Sequence, residues 1–100
     1  MPTVIVRIEF EDFEKWKAGF EASASLRKAF GSKGVRALRN LECPEEVIIV
    51  GEYEDLERAR QMFESPEFRE ATQRAGLTSR PEVSFLVDIL RLPACSPQPG

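Results

Sequence analysis

The sequence predicts an α+β sandwich of order β-α-β-β-α-β, with a four-stranded antiparallel sheet and its helices on one face. Three observations carry this expectation. Residues 3–10 alternate apolar and polar with a period of two, as a strand packed on one side should. Two stretches, Phe13–Phe30 and Leu56–Ala75, instead place apolar residues at helical spacing. The last segment, Glu82–Leu90, is apolar on both rows, with Val83, Phe85, Val87 and Ile89 on one and Leu86 and Leu90 on the other. A half-buried strand would keep its second row polar, so something is expected to cover the far side of the sheet.

In the first strand, Val4, Val6, Ile8 and Phe10 share one row, and Ile5, Arg7 and Glu9 share the other. Glu11-Asp12 turns the chain, and Asp12 caps a helix that carries Glu14 in its first turn. Phe13, Trp16, Phe20 and Ala24 follow at helical spacing, then Leu26 and Phe30, before Gly31-Ser32-Lys33-Gly34 stops the helix. Val35–Glu42 reads as the second strand and Cys43-Pro44-Glu45-Glu46 as a turn. The β-prone run Val47–Val50 leads a third strand that ends in Gly51, Glu52 and Tyr53. Asp55 caps the second helical region, whose inward stripe is Leu56, Ala59 and Phe63. Ser65-Pro66 splits it, because Ser suits an N-cap and Pro the first helical position. A further helix carrying Phe68, Ala71, Thr72 and Ala75 ends at Gly76, and the final strand follows Pro81.

This order is ferredoxin-like. Right-handed crossovers place the first and third strands in the centre, the fourth beside the first and the second beside the third. One domain is expected over residues 1–91, followed by a flexible Pro-rich tail over 92–100. The second sheet face would then show Ile5, Ile48, Val50, Leu86 and Leu90 among the charges of Arg7, Glu9, Glu52 and Asp88. An apolar surface of that extent invites association, and a sheet-to-sheet homodimer is the expected cover.

Composition narrows the chemistry. With 42% hydrophobic and 31% charged residues the chain has the balance of a soluble globular protein. A net charge of −3 is the wrong sign for a phosphate-binding surface, and no aromatic RNA-binding strand pattern occurs, so no nucleic acid is expected. No stretch approaches the roughly 20 apolar residues that cross a bilayer, so no membrane partner is expected either. Met1-Pro2-Thr3-Val4 lacks a basic n-region, which makes the cytoplasm the expected location. Cys43 and Cys95 lack CxxC spacing and are expected to be reduced. The chain has no histidine, which removes the commonest general base and the usual zinc and haem ligand. No metal and no cofactor are expected.

Two sets of residues are site candidates. Trp16 and Phe20 on the first helix, with Tyr53 at the end of the third strand, would line an aromatic cleft for a flat organic molecule. The simpler reading makes Phe13, Trp16 and Phe20 ordinary helix core. Arg7, Glu9, Glu52 and Asp88 form the second set, because charge within an apolar sheet face needs a partner. Arg7 could orient an anionic ligand while one of the acids serves as a base. The simpler alternative is an ion-pair network that fixes dimer register.

Val6-Arg7-Ile8 followed by Phe13-Glu14-Lys15-Trp16, Gly51-Glu52-Tyr53-Glu54-Asp55 leading into Ala59-Arg60, Ser65-Pro66-Glu67-Phe68, Ala75-Gly76 and the strand after Pro81 together form a pattern. Across Thr3–Leu90 it resembles the dimeric α+β barrel superfamily, the group that includes antibiotic-biosynthesis-monooxygenase-like domains. The resemblance implies sheet-to-sheet dimers with a pocket in each subunit between helices and sheet. Members include cofactor-independent monooxygenases of quinol-like aromatics, haem-degrading enzymes, lactone isomerases and proteins without known activity. The haem degraders use a His and a first-strand Asn. This chain has no His, and its only Asn, Asn40, falls on the second strand. No catalytic residue carries over. The leading expectation is a small dimeric protein that binds an apolar or aromatic molecule. The alternative is a cofactor-independent monooxygenase or isomerase acting on an aromatic or polyketide-like substrate.

Overall fold

The backbone follows the alternation of the first strand directly. In the computed structural model, which describes residues 2–94, Val4, Val6, Ile8 and Phe10 are all buried, whereas Ile5, Arg7 and Glu9 are only partly covered. Cys95 and residues 96–100 of the expected tail lie outside the described residues.

The elements run β1 (Thr3–Glu9), α1 (Phe13–Ala22), α2 (Ala24–Ala29), β2 (Ser32–Arg39), β3 (Glu46–Tyr53), α3 (Leu56–Glu64), α4 (Pro66–Ala75) and β4 (Glu82–Leu86). All strand pairs are antiparallel and the sheet order is β2-β3-β1-β4, the expected ferredoxin-like arrangement. Val6 lies opposite Ile49 and Ile8 opposite Val47, so the buried rows of β1 and β3 form one apolar floor. Trp16, Ala59, Met62, Ala71 and Ala75 close it from the helical side.

Helix boundaries obey capping chemistry. Asp12 accepts from the Lys15 N–H at 3.2 Å, and Asp55 accepts from the Glu57 N–H at 2.8 Å. Ser65 ends α3 and caps α4, its Oγ accepting from the Phe68 N–H at 3.1 Å with Pro66 in the first turn. Gly76 closes α4 with φ 74° and ψ 38°, a left-handed geometry in which Cβ would be strained.

Four expectations are corrected. The helix expected from Phe13 to Phe30 breaks at Ser23, whose hydroxyl donates to the Gly19 carbonyl at 2.9 Å. A serine bonded back one turn competes with the helical ladder and bends it. The second strand, expected over Val35–Glu42, occupies Ser32–Arg39. Gly34 (φ 137°) sits at a register shift between Ser32 and Gly34, so Ser32–Gly34 form a bulged strand start and only Gly31 remains in a turn. The turn expected over residues 43–46 spans 40–45 instead. Asn40 ends the strand there: its Oδ1 accepts from the Glu42 N–H at 2.9 Å, and its carbonyl accepts from the Cys43 N–H at 3.2 Å.

The fourth correction concerns the last strand, expected to reach Leu90. It stops at Leu86, which pairs with Thr3, the first residue of β1. Among the described residues no strand pairs with the chain beyond that point. Val87, Ile89 and Leu90 are therefore 76%, 93% and 74% exposed. Val83 and Phe85 pack against the core as expected.

Candidate functional site

A cleft of about 70 Å³ lies between the helices and the sheet. Val4, Val6, Ile49 and Gly51 form its floor, and Trp16, Gly19 and Phe20 form one wall. Phe63 of α3 and Phe68 of α4 form another. The sheet supplies a flat floor because Gly51 has no side chain. A Cβ there would lie 2.9 Å from Val35 Cγ1 and 3.3 Å from Tyr53 Cε1.

All three residues expected to line an aromatic cleft, Trp16, Phe20 and Tyr53, line this one. Trp16 is also core. It is 4% exposed and stacked between Phe10 and Phe20, with ring centroids 5.4 and 5.0 Å away and interplanar angles of 16° and 21°. The rings form a wall and leave the cleft open beside it.

Arg27 is the residue that sequence reasoning missed. The break at Ser23 starts α2, and Arg27 from that short helix reaches back over the Phe20 ring, its guanidinium carbon 4.0 Å from the centroid. Its Nη1 donates to the Phe20 carbonyl at 2.9 Å. Burial lowers the pKa of this guanidinium. Burial also pushes the Tyr53 phenol above its ordinary value, with the Arg27 charge and the Ser32 hydroxyl acting the other way. The signal was present in the sequence: Phe13, Phe20 and Arg27 are spaced by seven, which sets a cation on the apolar stripe.

The charged sheet face is organised differently from the expectation. Arg7 contacts Glu46 through Nε, Glu82 through Nη1 at 2.9 Å and Glu9 through Nη2 at 3.3 Å. The Asn40 amide donates to the second oxygen of Glu46 at 2.6 Å. Arg7 and Glu9 are thus brought together as expected, but Glu52 and Asp88 are not part of the cluster. Glu52 lies opposite Thr3, at the other end of the sheet face from the Glu9–Glu46 pair. Asp88 lies past the end of β4 and meets Arg91 at 3.6 Å, both well exposed. Glu46 and Glu82 take their places through strand register, since Glu46 faces Glu9 and Glu82 faces Arg7.

Asn40 first, and Arg7 second, hold the Glu46 carboxyl below its ordinary value of 4.5. A depressed carboxylate pKa stabilises the fold above the unfolded value, and that contribution disappears as pH falls through the folded one. Wild-type melting temperature should therefore fall more steeply below pH 4.5 than that of Glu46→Gln, by circular dichroism. Parallel curves would show that the Glu46 contacts do not persist in solution.

Among the described residues no group of three or more Cys, Asp or Glu side chains is placed to hold a metal ion, and no helix is long and apolar enough to cross a membrane.

No family model matches the sequence, and no curated protein matches it. Solved structures do match. A candidate antibiotic biosynthesis monooxygenase from Bordetella bronchiseptica superposes with a TM-score of 0.76 at 20% identity, covering 89% of this chain and 97% of its own. SnoaB, a cofactor-independent oxygenase from Streptomyces nogalater, superposes with a TM-score of 0.74 at 17% identity, covering 92% of this chain and 96% of its own. A candidate antibiotic biosynthesis monooxygenase from Deinococcus radiodurans gives 0.62 at 11% identity, covering 96% and 100%. The chain therefore has the ferredoxin-like α+β fold of the antibiotic-biosynthesis-monooxygenase-like proteins. At these identities the likeness is one of fold, and function has to be argued from the site.

Proposed function

On the premise of that shared fold, we propose that this protein binds a small apolar or aromatic molecule in the cleft beside Trp16, Phe20 and Tyr53. The observation that carries this reading is the cleft itself, apolar on nearly every side yet bordered by Arg27 and Tyr53. Pockets for organic ligands combine an apolar lining with a few convergent polar groups in this way. The space is narrow beside the ~300–1,000 Å³ of such pockets, which favours a ligand with no more than one ring. A thermal-shift screen with quinols, fatty acids and haem tests it, because a ligand at a hundred times its Kd adds about 2.7 kcal/mol of stability. Aromatic compounds should raise the melting temperature and change Trp16 fluorescence. A screen in which none does either would overturn the reading.

The active unit in this proposal is a homodimer joined through the open sheet face. Ile5, Ile48 and Val50 are half-buried there, Leu38 and Leu86 are exposed, and the exposed Val87, Ile89 and Leu90 continue past the strand end. Against a second copy these groups leave water, and the Arg7 cluster sets the register. Light scattering after size exclusion should give twice the chain mass, and Val50→Asp should give the monomer. Wild-type protein that stays monomeric at micromolar concentration contradicts the dimer.

A second reading, a cofactor-independent monooxygenase or isomerase, is supported by Arg27 beside Tyr53. A cation and a neutral phenol in a poorly hydrated cleft would stabilise the phenolate or enolate of an aromatic substrate. Oxygen uptake on adding a quinol separates it from simple binding.

A further inference from the structure

Arg27 carries a charge that no described residue balances. Its guanidinium is half-buried at the cleft and offers five N–H donors, yet its one hydrogen bond among the described residues goes to the Phe20 carbonyl at 2.9 Å. Among those residues no carboxylate comes within 4.0 Å of it. The acids that pair do so elsewhere: Glu9, Glu46 and Glu82 with Arg7, and Glu54 with Lys33. Tyr53, the other polar group at the cleft, is not a counter-ion, because burial keeps its phenol protonated. The Phe20 ring face offsets part of the cost of burying the cation but brings no negative charge.

We infer that the ligand of this cleft is an aromatic carboxylic acid, with its ring against Trp16 and Phe20 and its carboxylate on Arg27. The inference rests on the proposed reading of the cleft as a ligand site. A planar guanidinium with unused donors matches a carboxylate in a two-point contact. That contact would be strengthened by the apolar surroundings of Val4, Leu26 and Phe68, which limit competition from water. Tyr53 then donates its phenolic O–H to the same oxygen atoms. The competing role for Arg27 is a helix end-cap that covers the last carbonyls of α1. A cap of that kind has no preference between an acid and its amide.

Cinnamate and cinnamamide, nearly equal in shape and different in charge, separate the two roles. Each is titrated by calorimetry and Trp16 fluorescence into the full-length protein at neutral pH. Wild type should bind cinnamate at least tenfold more tightly, which is about 1.4 kcal/mol. Arg27→Met should remove the preference by weakening cinnamate far more than cinnamamide, and Arg27→Lys, which keeps the charge, should retain part of it. Circular dichroism melts establish that both variants are folded. Equal wild-type affinity for acid and amide overturns the inference and leaves the cleft reading standing. Failure of wild type to bind either compound overturns the inference, and the cleft reading falls with it only if the thermal-shift screen is also negative. The wild-type comparison decides the matter even if Arg27→Met does not fold.

Discussion

Trp16→Ala is expected to destabilise the protein by about 3–5 kcal/mol, the usual cost of deleting a large buried aromatic side chain. The ring is 4% exposed and held between Phe10 and Phe20, so truncation opens a void that neither neighbour can fill without losing its own packing. In a domain of 100 residues each kcal/mol moves the melting temperature by about 4–8 °C. The variant should therefore melt roughly 12–40 °C lower, or fail to fold. Thermal denaturation followed by circular dichroism measures this. A loss under about 1 kcal/mol would show that the ring is not packed as described. As the only tryptophan, Trp16 also makes wild-type fluorescence a direct report on this wall of the cleft.

Gly19→Ala should destabilise as well, against the trend for such substitutions. Alanine in a helix interior is favoured over glycine by about 0.8–1.0 kcal/mol, so local propensity alone predicts a gain. Here, however, the new Cβ would lie 2.9 Å from the Ala75 Cα and 3.0 Å from its Cβ. Backbone cannot rotate away as a side chain can, so α4 must move off α1. Overpacking of this kind costs about 1–3 kcal/mol, which outweighs the propensity gain. Gly19→Val should be worse, adding two methyl groups at the same contact. Chemical denaturation compares the three proteins. An alanine variant more stable than wild type would mean that the two helices are farther apart than described.

Much of the fold was legible because its signals are local. The Asp12, Asp55 and Ser65 caps act over two or three residues, and each appears where the chain chemistry places it. The buried row Val4, Val6, Ile8 and Phe10 declares itself by alternation alone. The candidate cleft was partly legible for the same reason, since Trp16 and Phe20 share a helical stripe. Arg27 was missed because a cation on a stripe is ordinarily read as a solvated position. Only the kink at Ser23 and the approach of Tyr53 show it bordering an apolar space.

The charge cluster is the clearest limit. Arg7 meets Glu46 and Glu82 across 39 and 75 residues of sequence, and no local pattern distinguishes them from Glu52 and Asp88. Strand register decides, and register depends on which strands are neighbours. The same holds for the end of β4. Residues 87–90 have strand composition, but a strand needs a partner, and β1 begins at Thr3 opposite Leu86. The sequence by itself determined element type, order and caps, because these depend on groups a few residues apart. The tertiary structure decided where β4 ends, which acids surround Arg7 and that Arg27 borders the cleft, because each depends on contacts between distant segments that exist only once the sheet is assembled.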